Sequence, residues 1–244
     1  MMAGDYIRRG FAEFVGTFAL IFVAAGGAAY ARAPVDLALA NGLVIAVMVS
    51  SMAFISGGFF NPAVTLGMLV TRRISPMLAG WYWLMQFGGA ALAALLLKWI
   101  LPGDVQSGGH IGVPTLGTGI TSGVGVVVEA ILTFFLVWVI FASAVDPRGS
   151  FKQISGLAIG FTIAFGVLMS YAITGGAMNP ARAFGPQLVG DFWKHWWVYY
   201  VGPFAGAVIA ASVYEMLYLR NPVATVGSPD SGVAEAAAGE AAQS

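Results

Sequence analysis

Six long apolar runs, at about residues 11–31, 37–56, 77–100, 122–145, 154–173 and 195–218, leave this chain few ways to fold. A hydrocarbon core about 30 Å thick is crossed by roughly 20 apolar residues of helix. Inside it every backbone polar group must be satisfied within the protein. Each run therefore predicts a transmembrane helix. The composition agrees: 59% of the 244 residues are hydrophobic and only 9% are charged, with a mean hydropathy of +0.83. A soluble domain carries about a quarter charged residues. So little charge cannot cover a water-facing surface, so most of this one faces lipid.

The first run follows Arg8 and Arg9 and ends at Ala31-Arg32-Ala33, which has the outline of a secretory leader. It is longer than the roughly 7–15 apolar residues of a leader, and its Glu13 has a counterpart later in the chain, so it reads as a retained helix. Basic residues fix the expected orientation. If six spans alternate, Arg8, Arg9, Arg72, Arg73, Arg148, Lys152 and Arg220 share one side, against Arg32, Lys194 and, near a helix end, Lys98. Both termini are expected to be cytoplasmic, in a cell (plasma or inner) membrane. The channel domain is expected over 1–220, with a disordered Ala-, Gly- and Ser-rich tail over 221–244.

Several classes are excluded. The 11 basic residues balance the 11 acidic ones, so no nucleic-acid partner is indicated. There is no cysteine, and His110 and His195 lie far apart, so no metal-ligand spacing exists and no metal or cofactor is expected. No phosphate loop, His–carboxylate cluster or nucleophile with a nearby base points to an enzyme. Trp81, Trp83, Trp99, Trp193, Trp196 and Trp197 sit near span ends, as an interfacial belt does.

The chain also repeats itself. Ile55-Ser56-Gly57-Gly58-Phe59-Phe60-Asn61-Pro62-Ala63 corresponds to Ile173-Thr174-Gly175-Gly176-Ala177-Met178-Asn179-Pro180-Ala181. Without gaps, Leu39, Gly42, Ile45 and Gly67 pair with Leu157, Gly160, Ile163 and Gly185. Glu13 pairs with Glu129 and Gly89-Ala90 with Gly206-Ala207 at nearly the same offset. Repeat one covers about 8–100 and repeat two about 122–218, each with three spans. Three is odd, so the halves must lie in opposite orientations. Gly42 and Gly160 are expected to let helices cross closely.

Each repeat contains a stretch too short to span, about 61–71 and 179–189, that begins at Asn-Pro. Asn is a strong N-cap and Pro suits the first helical position, so both read as half-helices that re-enter the membrane. Non-helical backbone at that depth must be buried in protein or line a wet cavity. Gly57, Gly58, Phe59, Gly175 and Ala177 are the candidates for such pore-lining backbone. In inverted halves the two half-helices meet N-terminus to N-terminus. Each asparagine, Asn61 and Asn179, is expected to cap with its oxygen and turn its amide N–H groups to the pore. With roughly +0.5 charge at each helix N-terminus, such a centre holds a water by its oxygen and rejects cations.

At these residues, from about Phe11 to Tyr218, the chain resembles the aquaporin (major intrinsic protein) family. The resemblance implies an all-α integral membrane fold of six transmembrane helices plus two re-entrant half-helices in two inverted repeats. It also implies a homotetramer with one pore per subunit. Its pore motifs are Asn61, Pro62, Ala63 and Asn179, Pro180, Ala181. Its selectivity filter falls by spacing on Arg182, Gly176, Val167 and Asn41. Strictly water-selective relatives usually place Phe and His where this chain has Asn41 and Val167, so a wider, tonoplast-like filter is implied. Glycerol facilitators usually have Asp after the arginine, where this chain has Ala183, and the last helix carries Tyr199-Tyr200. Water is therefore the first expected solute, small uncharged molecules such as urea, ammonia or hydrogen peroxide the second, and glycerol the third. Glu13 and Glu129 are expected to accept hydrogen bonds from loop N–H groups, not to relay protons. An ion-coupled transporter would need further ionisable residues than these and Arg182.

Overall fold

The computed structural model describes residues 3–103, 110–149 and 152–220. The tail expected to be disordered and the side chain of His110 lie outside the described residues. Eight α-helices occur among the described residues, and no strand: α1 (Ala3–Ala28), α2 (Pro34–Ser56), α3 (Pro62–Val70), α4 (Pro76–Ile100), α5 (Ser122–Ile140), α6 (Ser155–Ser170), α7 (Pro180–Gly190) and α8 (Val198–Tyr214). Six of them, some extended by adjoining 3-10 or π turns, are long and apolar enough to cross a membrane. The other two, α3 and α7, are the short elements that start at Asn-Pro.

Local chemistry sets the ends. Asp36 accepts from the amides of Arg32 (2.9 Å) and Ala33 (3.0 Å) at the start of α2, where Pro34 fills the first position. Ser75 and Thr121 cap α4 and α5 through the amides of Leu78 and Val124, both at 3.3 Å. Helix α1 starts well before its apolar run, with Asp5 in the first turn, where a carboxylate favours the helix N-terminus. Helix α6 stops short of the expected residue 173 because the amides of Ile173, Thr174 and Gly175 all turn back onto the Ser170 carbonyl. Helix α8 starts after the expected residue 195, since residues 194–197 form a turn with His195 at a φ of 53°.

The residues up to Ser212 form one compact unit. The described residues from Val213 on form another, with a π-helical turn at Glu215–Leu219 and the Tyr214 and Tyr218 rings 5.1 Å apart. Within the first unit α1 packs on α4 and α2 on α6. A Cβ on Gly42 would collide with the Gly160 carbonyl, and one on Gly160 with the Gly42 carbonyl. The two backbones thus touch directly, as small residues permit at membrane helix crossings. Gly89 lies in the same way against the Phe14 carbonyl, and its repeat partner Gly206 against that of Ala130.

Candidate functional site

The site is built where the two loops before α3 and α7 converge. Asn61 Oδ1 accepts from the Ala63 amide at 2.9 Å, and Asn179 Oδ1 from the amides of Ala181 (2.9 Å) and Arg182 (3.3 Å). Each asparagine therefore caps its own half-helix. Each also reaches across: Asn61 Nδ2 donates to the Met178 carbonyl at 2.8 Å, and Asn179 Nδ2 to the Phe60 carbonyl at 2.9 Å. The two half-helices are thus tied tip to tip by a reciprocal pair of bonds. A primary amide has two N–H groups, so each asparagine keeps one beyond this tie.

The loops are held open by the two glutamates, both fully buried. Glu13 accepts from Ser56 Oγ (2.6 Å), the amides of Phe59 (3.0 Å) and Phe60 (2.7 Å), and Gln86 Nε2 (2.8 Å). Glu129 accepts from the amides of Ala177 (3.0 Å) and Met178 (2.7 Å). With their N–H groups drawn to the carboxyl side, the loops turn sharply. Gly57, Gly58, Gly175 and Gly176 have positive φ, and so do Phe60 (49°) and Met178 (50°). That last pair is costly for residues with side chains. It is sustained because the amide of each is held by a glutamate and the carbonyl of each by an asparagine.

Three partners escape a motif-based reading. Tyr82 Oη donates to the Ser56 carbonyl at 2.6 Å, and Tyr199 Oη to the Thr174 carbonyl at 3.1 Å. Their signal is that Tyr82 and Tyr199 keep the same offset as Gly89 and Gly206. Gln86, which joins Glu13 to Thr65 Oγ1 (2.9 Å), has no such echo, since Pro203 stands at that offset.

A cavity of about 30 Å³ lies between the tips, and Asn41, Asn61, Asn179, Arg182 and Ala177 are among its lining residues. That is room for roughly two or three waters. Arg182 is buried and donates through Nη1 to the Gly112 carbonyl at 2.7 Å. Its Nε is buried with no hydrogen-bond partner among the described residues. Asn41 uses one N–H on the Leu37 carbonyl of its own helix (2.8 Å). Gly176 and Val167, expected beside these residues, do not line this cavity. Val167 is fully buried behind Gly176, whose Cβ would stand 3.0 Å from Val167 Cα. Gly57, Gly58 and Phe59 line a larger cavity, Gly58 and Phe59 lining the small one as well, while Gly175 lies against Pro114.

Residues 2–214 match the sequence profile described as Major intrinsic protein. The chain belongs to the major intrinsic protein family. Among curated relatives of this family member, a probable aquaporin TIP3-2 of Arabidopsis thaliana is 39% identical over 234 residues, 89% of this chain and 86% of the relative. Aquaporin TIP1-2 of Zea mays is 40% identical, covering 88% of this chain and 87% of the relative. Aquaporin-4 of Mus musculus is 40% identical over 85% of this chain and 66% of its own length. Among solved structures, the aquaglyceroporin from Plasmodium falciparum superposes with a TM-score of 0.74 at 23% identity, over 87% of this chain and 96% of that one, which establishes the fold. This major intrinsic protein is accordingly an integral, multi-pass membrane protein.

Proposed function

We propose that this major intrinsic protein is a passive channel for water, not an enzyme or a pump, and that it excludes protons and ions. The observation that carries the reading is that Asn61 and Asn179, capping opposed half-helices, line one cavity with Arg182. After their mutual tie, each amide retains an N–H that can donate to a water oxygen. The two helix N-termini and the guanidinium make this cavity unfavourable for a cation. A water held by its oxygen from both sides cannot pass a proton along the file. The names of its relatives, aquaporins of two plants and a mammal, agree with water as the solute.

The filter in this reading comprises Arg182 and Asn41, which line the cavity, with Val167 and Gly176, which pack against each other. Its lack of bulky rings makes urea, ammonia and hydrogen peroxide the next candidates. Glycerol ranks lower, because Ala183 stands where the resemblance to glycerol facilitators implies Asp. A homotetramer is the proposed assembly, tested by cross-linking in native membranes. Both termini are proposed to be cytoplasmic, and cell fractionation tests the plasma or inner membrane as the setting. The function itself is tested by mixing proteoliposomes with hypertonic glycerol and recording light scattering. Rapid shrinkage without accelerated reswelling is expected. Shrinkage at the rate of empty vesicles would sink the reading, and accelerated reswelling would make glycerol a substrate.

A further inference from the structure

The larger cavity, of about 470 Å³, carries Arg73, Lys152 and Ser155 in its wall, and its other lining residues are apolar or glycine. Arg73 stands just beyond α3, while Lys152 opens the 3-10 turn Lys152–Ile154 that leads into α6, whose first residue is Ser155. Two separate stretches of chain thus bring two cations and a hydroxyl to one wall. No acidic residue lines it among the described residues. Asp146, the carboxylate nearest to Lys152 in sequence, is buried and turned to Arg148, whose Nε and Nη2 donate to it at 3.0 and 2.7 Å. Lys152 makes no ion pair among the described residues. Arg73 lies 5.8 Å over the Phe141 ring, a contact that orients a guanidinium without cancelling its charge. The cavity shares six lining residues with the small one at the asparagines, Gly58 and Phe59 among them, so whatever fills it lies at the entrance of the other.

We infer that this cavity is a binding site for a phosphoryl anion, and that an anion held there stops the flow of water. The inference rests on the channel reading above. Two cations match an oxyanion of charge two or more better than they match chloride or a single carboxylate. A guanidinium donates in a planar fork that fits two oxygens of a phosphoryl group. The lysine adds a compact charge and the Ser155 hydroxyl a further donor. The anion has nowhere further to go. To move on it must exchange water for apolar wall, at a high cost for a charge, and the space ahead is only about 30 Å³. It therefore lodges at the basic residues and fills the mouth that water uses. By the orientation proposed above this mouth is cytoplasmic, where soluble phosphate esters and the headgroups of phosphorylated lipids both reach it.

The test records water flux by light scattering, under a sucrose gradient, from neutral-lipid proteoliposomes holding the full chain. Inorganic pyrophosphate is present on both faces, with chloride at equal ionic strength and osmolarity as the reference. Pyrophosphate is expected to lower wild-type flux to less than half, with a saturating dependence on concentration. In Arg73→Gln and in Lys152→Gln, each compared with its own flux in chloride, half-inhibition should need about tenfold more pyrophosphate, the effect of losing one hydrogen bond to a charged group. Lys194→Gln, at the opposite end of the spans, should match wild type. A second set of vesicles carries a phosphatidylinositol phosphate and no pyrophosphate. Flux that is slow there and recovers in Lys152→Gln names the lipid headgroup as the source. Flux as fast as in neutral lipid, with pyrophosphate still inhibiting, names a soluble anion. No inhibition in either set, or inhibition equal in wild type and both variants, overturns the site. Wild-type flux in chloride no faster than from empty vesicles overturns the channel reading instead. Two variants from different segments guard against one failing to fold, which size-exclusion elution reports.

Discussion

At Glu13, four donors from three different elements converge on two oxygens, and no water in the hydrocarbon region can replace any of them. Glu13→Gln offers one acceptor oxygen where two stood and adds an N–H facing other donors. Stranding even one buried donor costs about 1–3 kcal/mol, so a clearly lower melting temperature in detergent is expected. Unchanged melting would mean that the loop before α3 is held by other contacts. Arg182 is the other residue whose chemistry has no substitute nearby. Arg182→Val removes a buried cation from the cavity wall while keeping the half-helix capped by Asn179. Proton or cation leakage through proteoliposomes should rise; leakage equal to wild type would place the cation barrier at the helix N-termini alone.

At the scale of helices, the crossing of α2 and α6 depends on Gly42 and Gly160 each lying against the other's carbonyl. In Gly160→Val the new atoms would meet backbone, which cannot swing aside as a flexible side chain can. Overpacking of this kind costs about 1–3 kcal/mol or more. A reduced folded fraction on size-exclusion chromatography of membrane extracts is expected, and full recovery would show that the helices can separate without loss. This crossing was legible beforehand, since the glycines pair at the offset of the Asn-Pro-Ala segments. The helices and half-helices were legible for the same reason: length, apolarity and capping residues are written locally. The reciprocal asparagine ties were not, because they join residues 117 and 119 positions apart through backbone carbonyls, which carry no residue identity. Nor was the left-handed backbone at Phe60 and Met178, where tertiary hydrogen bonds override the preference of the side chain. Val167 and Gly176 were assigned by spacing, which gives register along a helix but not which side chain stands in front of another.

For the whole molecule, orientation is the open variable, and the absence of cysteine makes it measurable without background. Single cysteines introduced by Gly4→Cys and Gln153→Cys should react with an impermeant maleimide only from the cytoplasmic side, and Thr118→Cys only from the other. The reverse pattern would invert the assignment drawn from Arg and Lys. The ties between the tips also have a meaning in time. At a synthesis rate of about 5–20 residues per second, Asn61 is added to the chain roughly 6–23 s before Met178 exists to receive its N–H. Glu13, by contrast, is made before the loop it serves, so the first loop already has its carboxyl partner at birth. The first loop thus has its carboxyl partner within its own half, whereas the tie between the tips must wait for the second half to be made.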